Sequence, residues 1–222
     1  MRRIGLLTVS IIFILAGCVT TVSTDVNRFT SPNLPQDLTG KTFVFVKLDK
    51  QEGSVEYDTH AALISEYLEK LGWRRTEDMR GADYAVSFFY GQGNGQTVSR
   101  EIPIYGQTGG GTSYTSGTVN AYGGSGYRYG SYSGTTYTPP TYGVVGSTTQ
   151  TETTYARFLD VAIYDWQKSI HGNKLVGVWE GKANSTGSSS TFAAVSKCMI
   201  KAVFSDFRKS GTENVQIPRP EC

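Results

Sequence analysis

The chain's 222 residues include three cysteines and two histidines, the side chains with the widest chemical reach. Neither His60 nor His171 has Cys, Asp or Glu neighbours at the spacing of a tetrahedral zinc site. Both read as surface histidines, and no metal or cofactor is expected. No G-x-S-x-G turn and no G-x-x-x-x-G-K-[ST] loop occur, so neither a nucleophile elbow nor a Walker loop is present. "GQGNG" at Gly91–Gly95 follows a strand pattern, but no helix pattern follows it, which excludes a dinucleotide fingerprint. The acidic pairs Glu77–Asp78 and Glu52–Glu56 fall in loops, where solvated carboxylates are ordinary. Asp160 stands out as a carboxylate on a strand among aromatics. A glycosidase needs a second carboxylate across the bond, and none is evident. The expectation is a protein that is not an enzyme; an envelope hydrolase built on Asp160 is the weakest alternative.

The third cysteine belongs to the N-terminus. "MRRIGLLTVSIIFILAGC" opens with two arginines, then an apolar run from Ile4 to Leu15, shorter than the roughly 20 residues of a membrane span. "LAGC", Leu15–Cys18, resembles the lipobox of bacterial lipoproteins. That resemblance implies a signal peptide over residues 1–17, cleavage before Cys18, and acyl chains on Cys18 that together make a lasting anchor. Val19 follows, rather than Asp, which by similarity to lipoprotein sorting favours the outer membrane. Cys198 and Cys222 would then sit in an oxidising compartment, where a disulfide between them is expected. The alternative is a buried free Cys198 and a loose terminal Cys222.

The elements that position these residues follow from periodicity. Residues 18–38 read as a tether, although "TVSTDVNRF" can add an edge strand. "KTFVFVKLD", "ADYAVSFFYG", "TTYARFLDVAIYDW" and "KLVGVWEGKA" alternate as strands. "EYDTHAALISEYLEKLGW" is a helix capped by Asp58 or Thr59 and ended by Gly72, and "STFAAVSKCMIKAVFSDF" is a second, capped by Ser190 or Thr191. "HGN" between the last two strands reads as a turn. The expected fold class is α+β: a mixed β-sheet of about four to five strands with two helices on one face, over residues 39–222, with a long Gly/Tyr-rich β-arm or loop inserted at 91–147. The first crossover predicts a parallel strand pair.

Alternation divides the strand residues into two faces. Val44, Val46, Leu48, Val86, Phe88, Leu159, Val161, Ile163, Val176 and Val178 form an aliphatic face expected beneath the helices. Phe43, Phe45, Ala85, Phe89, Asp160, Ala162, Tyr164 and Trp179 form an aromatic face with no obvious cover. Phe43, Phe45, Phe89, Tyr164 and Trp179 are therefore candidate partner-binding residues, unless the tether or the insert folds over them.

The insert's flanks, "GQTVSREIPIYG" and "GSTTQTETTYARF", can pair as antiparallel strands. Its tip, about residues 106–146, has few aliphatic side chains to bury and much glycine, and it is expected as an exposed mobile loop. Tyr122, Tyr127, Tyr129 and Tyr132 there, with Tyr137 and Tyr142, give amphipathic contact area suited to a protein or to sugar rings; a neutral spacer is the alternative.

"DVNRF…DLTGKTFVFV", "LEKLGW", "ADYAVSFFY", "LDVAIYD", "LVGVWEGKA" and "AVFSDF" together resemble a family of bacterial envelope lipoproteins called domain of unknown function 4136. The likeness covers about residues 22–90 and 155–208 and carries no catalytic residues with it. A net charge of +2 with scattered Lys and Arg argues against a nucleic-acid partner. The function expected is a non-catalytic binding or structural module, lipid-anchored at the outer membrane and facing the periplasm, with a protein or peptidoglycan partner; a glycan-binding module using the tyrosines is the alternative.

Overall fold

Period-two burial starts earlier than the sequence pattern shows. Residues Val22, Thr24, Val26 and Arg28 are buried in turn along Thr21–Thr30, which forms strand β1. Two of those four inward side chains are polar, so the apolar alternation that marks a strand is broken and the segment resembles a tether. The computed structural model describes residues 20–48, 51–124 and 126–222. The expected signal peptide and Cys18 lie outside the described residues.

The remaining strands are β2 (Thr42–Phe45), β3 (Arg74–Arg75), β4 (Tyr84–Gln92), β5 (Gln96–Gly123), β6 (Gly126–Asp165), β7 (Gly177–Gly187) and β8 (Gly211–Pro218). They form one eight-stranded mixed sheet in the order β3-β2-β4-β6-β7-β1-β8, with β5 paired to β6. The class is α+β as expected, but the sheet is nearly twice as wide. β1 comes from the tether segment that could add an edge strand, and lies between β7 and β8 rather than at an edge; β8 and the two-residue β3 come from segments read as tail and loop. The expected parallel pair is β2 with β4, with Phe43, Val44 and Phe45 beside Tyr84, Ala85 and Val86. β4–β6, β6–β7, β7–β1 and β1–β8 are antiparallel.

The chain divides into a body, built within Met1–Gln96 and Thr154–Cys222, and a ribbon, Thr97–Thr153. In the body, helices α1 (Val55–Lys70) and α3 (Ser196–Phe204) share one core with the inner sheet face. Ser54, not Asp58 or Thr59, caps α1 by accepting from the Tyr57 N–H. Gly72, at φ 91°, makes the left-handed turn that ends it. A third helix, α2 (Trp166–Gly172), stands where only a turn is expected; Asp165 caps it through the Lys168 N–H. Among the described residues no helix is long and apolar enough to cross a membrane.

The two sheet faces differ from the expected sorting. Phe43 and Phe45 lie inward with Val86, Phe88, Leu159, Val161 and Ile163, and Val44 lies outward with Ala85. Short strands leave the phase open: both sets of alternate residues in "TFVFVKL" are apolar, and pairing with β4 decides between them. At β7 the register slips between Ile163 and Tyr164, whose partners are Trp179 and Gly177. That bulge turns Trp179 inward. Phe43, Phe45 and Trp179 are all nine-tenths buried or more, which removes them from any partner surface. They join an aromatic belt instead: Trp179 stacks on Phe204 and Phe207, Phe43 lies against Trp73, which stacks on Tyr84, and Phe45 meets edge to face with Phe88, which stacks on Tyr57. The Trp179 Nε1–H donates to the Phe207 carbonyl, so the indole's one polar group is satisfied.

Two links close the C-terminal half. Cys198 on α3 is joined to Cys222 by a disulfide, with 4.8 Å between their Cα atoms. Arg28 reaches from β1 to donate to the Ala202 and Val203 carbonyls at the end of α3, to Ser205 Oγ and to the Glu213 carboxylate. A cation at a helix C-terminus satisfies carbonyls that lack a partner within the helix.

The ribbon is a β-hairpin, not a loop. β5 runs unbroken for 28 residues and β6 for 40, and the ladder includes the expected mobile tip at 106–146. Hydroxyl pairs bridge its strands: Thr97 with Thr153, Ser99 with Thr151, and Thr108 with Thr141. Threonine and tyrosine favour extended backbone, and cross-strand pairs of this kind stabilise a ladder that has no core.

Candidate interaction surface

The body's outer sheet face is built row by row from the strand registers. Phe89 on β4 faces Asp160 on β6, which faces Lys182 on β7, which faces Asn27 on β1. The next rows are Ser87, Ala162, Glu180 and Phe29 on one side, and Gly91, Phe158, Asn184 and Asp25 on the other. Gly91 is required opposite Phe158, because a Cβ there would lie 2.8 Å from the ring.

Part of this face is covered. Trp166 and Gln167 of α2 donate to the backbone carbonyls of Met79, Arg80 and Ala82, which brings residues 79–82 over Val44 and Ala85. Tyr164 packs at that margin and is half-buried. The remainder is open: Phe29, Phe89 and Phe158 are 53%, 42% and 40% exposed. Asp160 is half-buried between Phe89 and Lys182. The hollow beside it is only about 70 Å³, below the several hundred that enclose a small ligand. Its chemistry suits a flat contact, with aromatic rings around an acid and a base. Phe29 and Phe158 escaped the sequence reading, although each neighbours a residue, Arg28 or Arg157, whose burial forces it outward.

The ribbon supplies a second exposed set. Every described non-glycine residue from Thr97 to Glu152 is exposed. Tyr122 and Tyr127 meet edge to face across the turn, 5.6 Å apart. Alternation from that pair puts Tyr114 and Tyr122 on β5 and Tyr127, Tyr129 and Tyr137 on β6 on one side of the ladder. Tyr132, whose ring lies where a Gly117 Cβ would be, takes the other side. Among the described residues β5 pairs only with β6.

The titratable groups are arranged for structure. His60, expected at the surface, is buried between Tyr90 and Phe192, with both rings edge-on to it. Burial holds its pKa below the ordinary 6.5 despite Glu56 at 3.5 Å. The helical spacing of Tyr57, Ala61 and Ile64 at i, i+4 and i+7, with His60 at i+3, is the signal that could have placed it inward. His171 is exposed, with Nδ1 against the Gln167 carbonyl. Among the described residues no three His, Cys, Asp or Glu side chains are grouped to hold a metal ion.

Comparison with known proteins finds solved structures of low identity. A crystal structure of a PDZ domain protein from Parabacteroides distasonis ATCC 8503 is 14% identical, with a TM-score of 0.45, and the match covers 89% of this chain and 39% of that one. The chain thus spans about two fifths of that protein's length. The PelC dodecamer from Paraburkholderia phytofirmans is 13% identical, with a TM-score of 0.40 and coverage of 85% and 99%. Among curated proteins none matches. The family model described as "Domain of unknown function (DUF4136)" matches residues 22–207, and the chain belongs to that family.

Proposed function

We propose that this protein is a lipid-anchored module of the bacterial envelope, held at the outer membrane through acylated Cys18 and facing the periplasm, which binds a protein partner and catalyses no reaction. The observation that carries this reading is the ribbon: a long ladder whose side chains find no burial in its own unit, with tyrosines gathered on one side. Two-stranded ladders are at best marginally stable alone in water, and a partner surface supplies what the second strand does not. "LAGC" at Leu15–Cys18 supports the anchor, and the Cys198–Cys222 disulfide supports an oxidising compartment. The open face around Phe29, Phe89 and Phe158 is the body's contribution to contact.

Palmitate labelling with membrane fractionation tests the anchor, and a photo-crosslinker at Tyr129 tests the contact. The expected results are label on the wild type, none on Cys18→Ser, outer-membrane recovery, and a discrete protein adduct. An unlabelled cytosolic protein would overturn the reading. The tyrosine row also favours a second one, stacking on cell-wall glycan. A peptidoglycan pull-down lost when Tyr122, Tyr127 and Tyr129 become alanine would establish it in place of the protein partner.

A further inference from the structure

A pocket of about 430 Å³ opens in the body between the start of β1, the end of β7 and the turn after β8. Its volume falls in the range that encloses a small ligand. Arg157 and Arg219 both line it, with Thr20, Ser185 and Gly187. Arg157 is only 3% exposed, and its Nε has no hydrogen-bond partner. Its Nη1 donates to the Ser189 carbonyl at 3.2 Å, and Arg219 Nη2 donates to Ser189 Oγ at 3.0 Å. The two guanidinium groups thus converge on one residue.

Among the described residues neither arginine takes part in an ion pair; Arg28, the other buried arginine, has Glu213. Residues 1–19 contain no Asp or Glu. Burial and the neighbouring Arg219 both push the Arg157 pKa down, the mark of a cation without its counter-charge. Gly187 makes the room: a Cβ there would sit 2.8 Å from Arg157 Nη2.

An uncompensated buried charge is costly, and paired guanidinium groups match the geometry of phosphate oxygens. We propose that this pocket is a phosphate-binding site, with Arg157 as the buried anchor, Arg219 as the outer clamp and Gly187 as the opening that admits the guanidinium. Two sources present that chemistry: free phosphate or a phosphomonoester, and the headgroup of an anionic phospholipid. Thr20 is two residues from Cys18, about 7 Å of extended chain at most, so an acylated Cys18 would hold the pocket near headgroup depth. The site itself does not rest on that anchor.

Titration calorimetry on the full-length protein tests it, with inorganic phosphate and with a short-chain, water-soluble phosphatidylglycerol, each against sodium chloride at matched ionic strength. Binding of phosphate alone assigns the free anion, and binding of the lipid, with or without phosphate, assigns the headgroup. In either case Arg219→Gln, an exposed change that leaves the core intact, weakens binding by about tenfold or more, and Arg157→Gln abolishes it. No binding of either probe, or unchanged binding in Arg219→Gln, overturns the site. A protein found unacylated that still binds phosphate would refute the anchor and leave the site standing.

Discussion

The body and the ribbon solve the same problem, ordering extended chain, by opposite means. In the body, every long strand contributes side chains to one core shared with α1 and α3. In the ribbon, order rests on backbone pairing and hydroxyl bridges, with no buried side chain among the described residues. The contrast teaches that strand formation and fold stability are separable here: the body is held by burial, whereas the ribbon's side chains are left for something else.

The largest expected break in that comparison is Trp179→Ala. It removes an indole stacked on Phe204 and Phe207 and leaves the Phe207 carbonyl with only the Thr30 hydroxyl as donor. The cost should be about 3–5 kcal/mol, read as a fall in melting temperature of about 10 °C or more. Cys222→Ser comes next. Opening a disulfide that spans 24 residues should cost about 3 kcal/mol in the chain-entropy account, and reductant should destabilise the wild type equally.

Arg28→Met should follow at about 2 kcal/mol, measured by urea denaturation, since it strands the Val203 carbonyl and removes the cation from Glu213. Arg28 also holds the Glu213 carboxyl below its ordinary 4.5. The folded-state pKa is the depressed one, so the stabilisation is present above 4.5 and is lost as pH falls through the lowered value. The stability gap between wild type and Glu213→Gln should accordingly close on acidification. The smallest effect is in the ribbon. Tyr129→Ser or Tyr137→Ser should change the body's stability by less than about 0.5 kcal/mol, because neither touches the core.

Local pattern made some of this fold legible and left other parts hidden for identifiable reasons. "ADYAVSFFYG" and "LDVAIYD" carry both ends of the β4–β6 pairing, and Cys198 on a helix with a returning tail gave the disulfide. β1 was legible only as an edge strand added to the tether, because Thr24 and Arg28 occupy inward positions; the burial of Arg28 is offset only once α3 and β8 supply its partners. The face of β2 was undetermined because "TFVFV" is apolar on both sides, and the inward turn of Trp179 depends on a register slip with no local signature. The ribbon's glycines read as loop because entropy argues against ordering them, whereas long-range pairing carried the ladder through. Of the candidate surface, Phe89, Tyr164 and the tip tyrosines were visible in the sequence. Phe29, Phe158 and the Arg157–Arg219 pocket were not, since each depends on which neighbour the sheet buries.

The separability of the two units can be measured by thermal unfolding of a variant in which residues 97–153 are replaced by a short Gly/Ser turn. Gly93 already donates to the Ala156 carbonyl, so the chain ends are close enough to join. A cooperative transition within about 3 °C of wild type is the result expected, because the core contains no residue of the deleted segment. Loss of the cooperative transition, or a fall of about 10 °C or more, would show that the body depends on the ribbon and contradict the account.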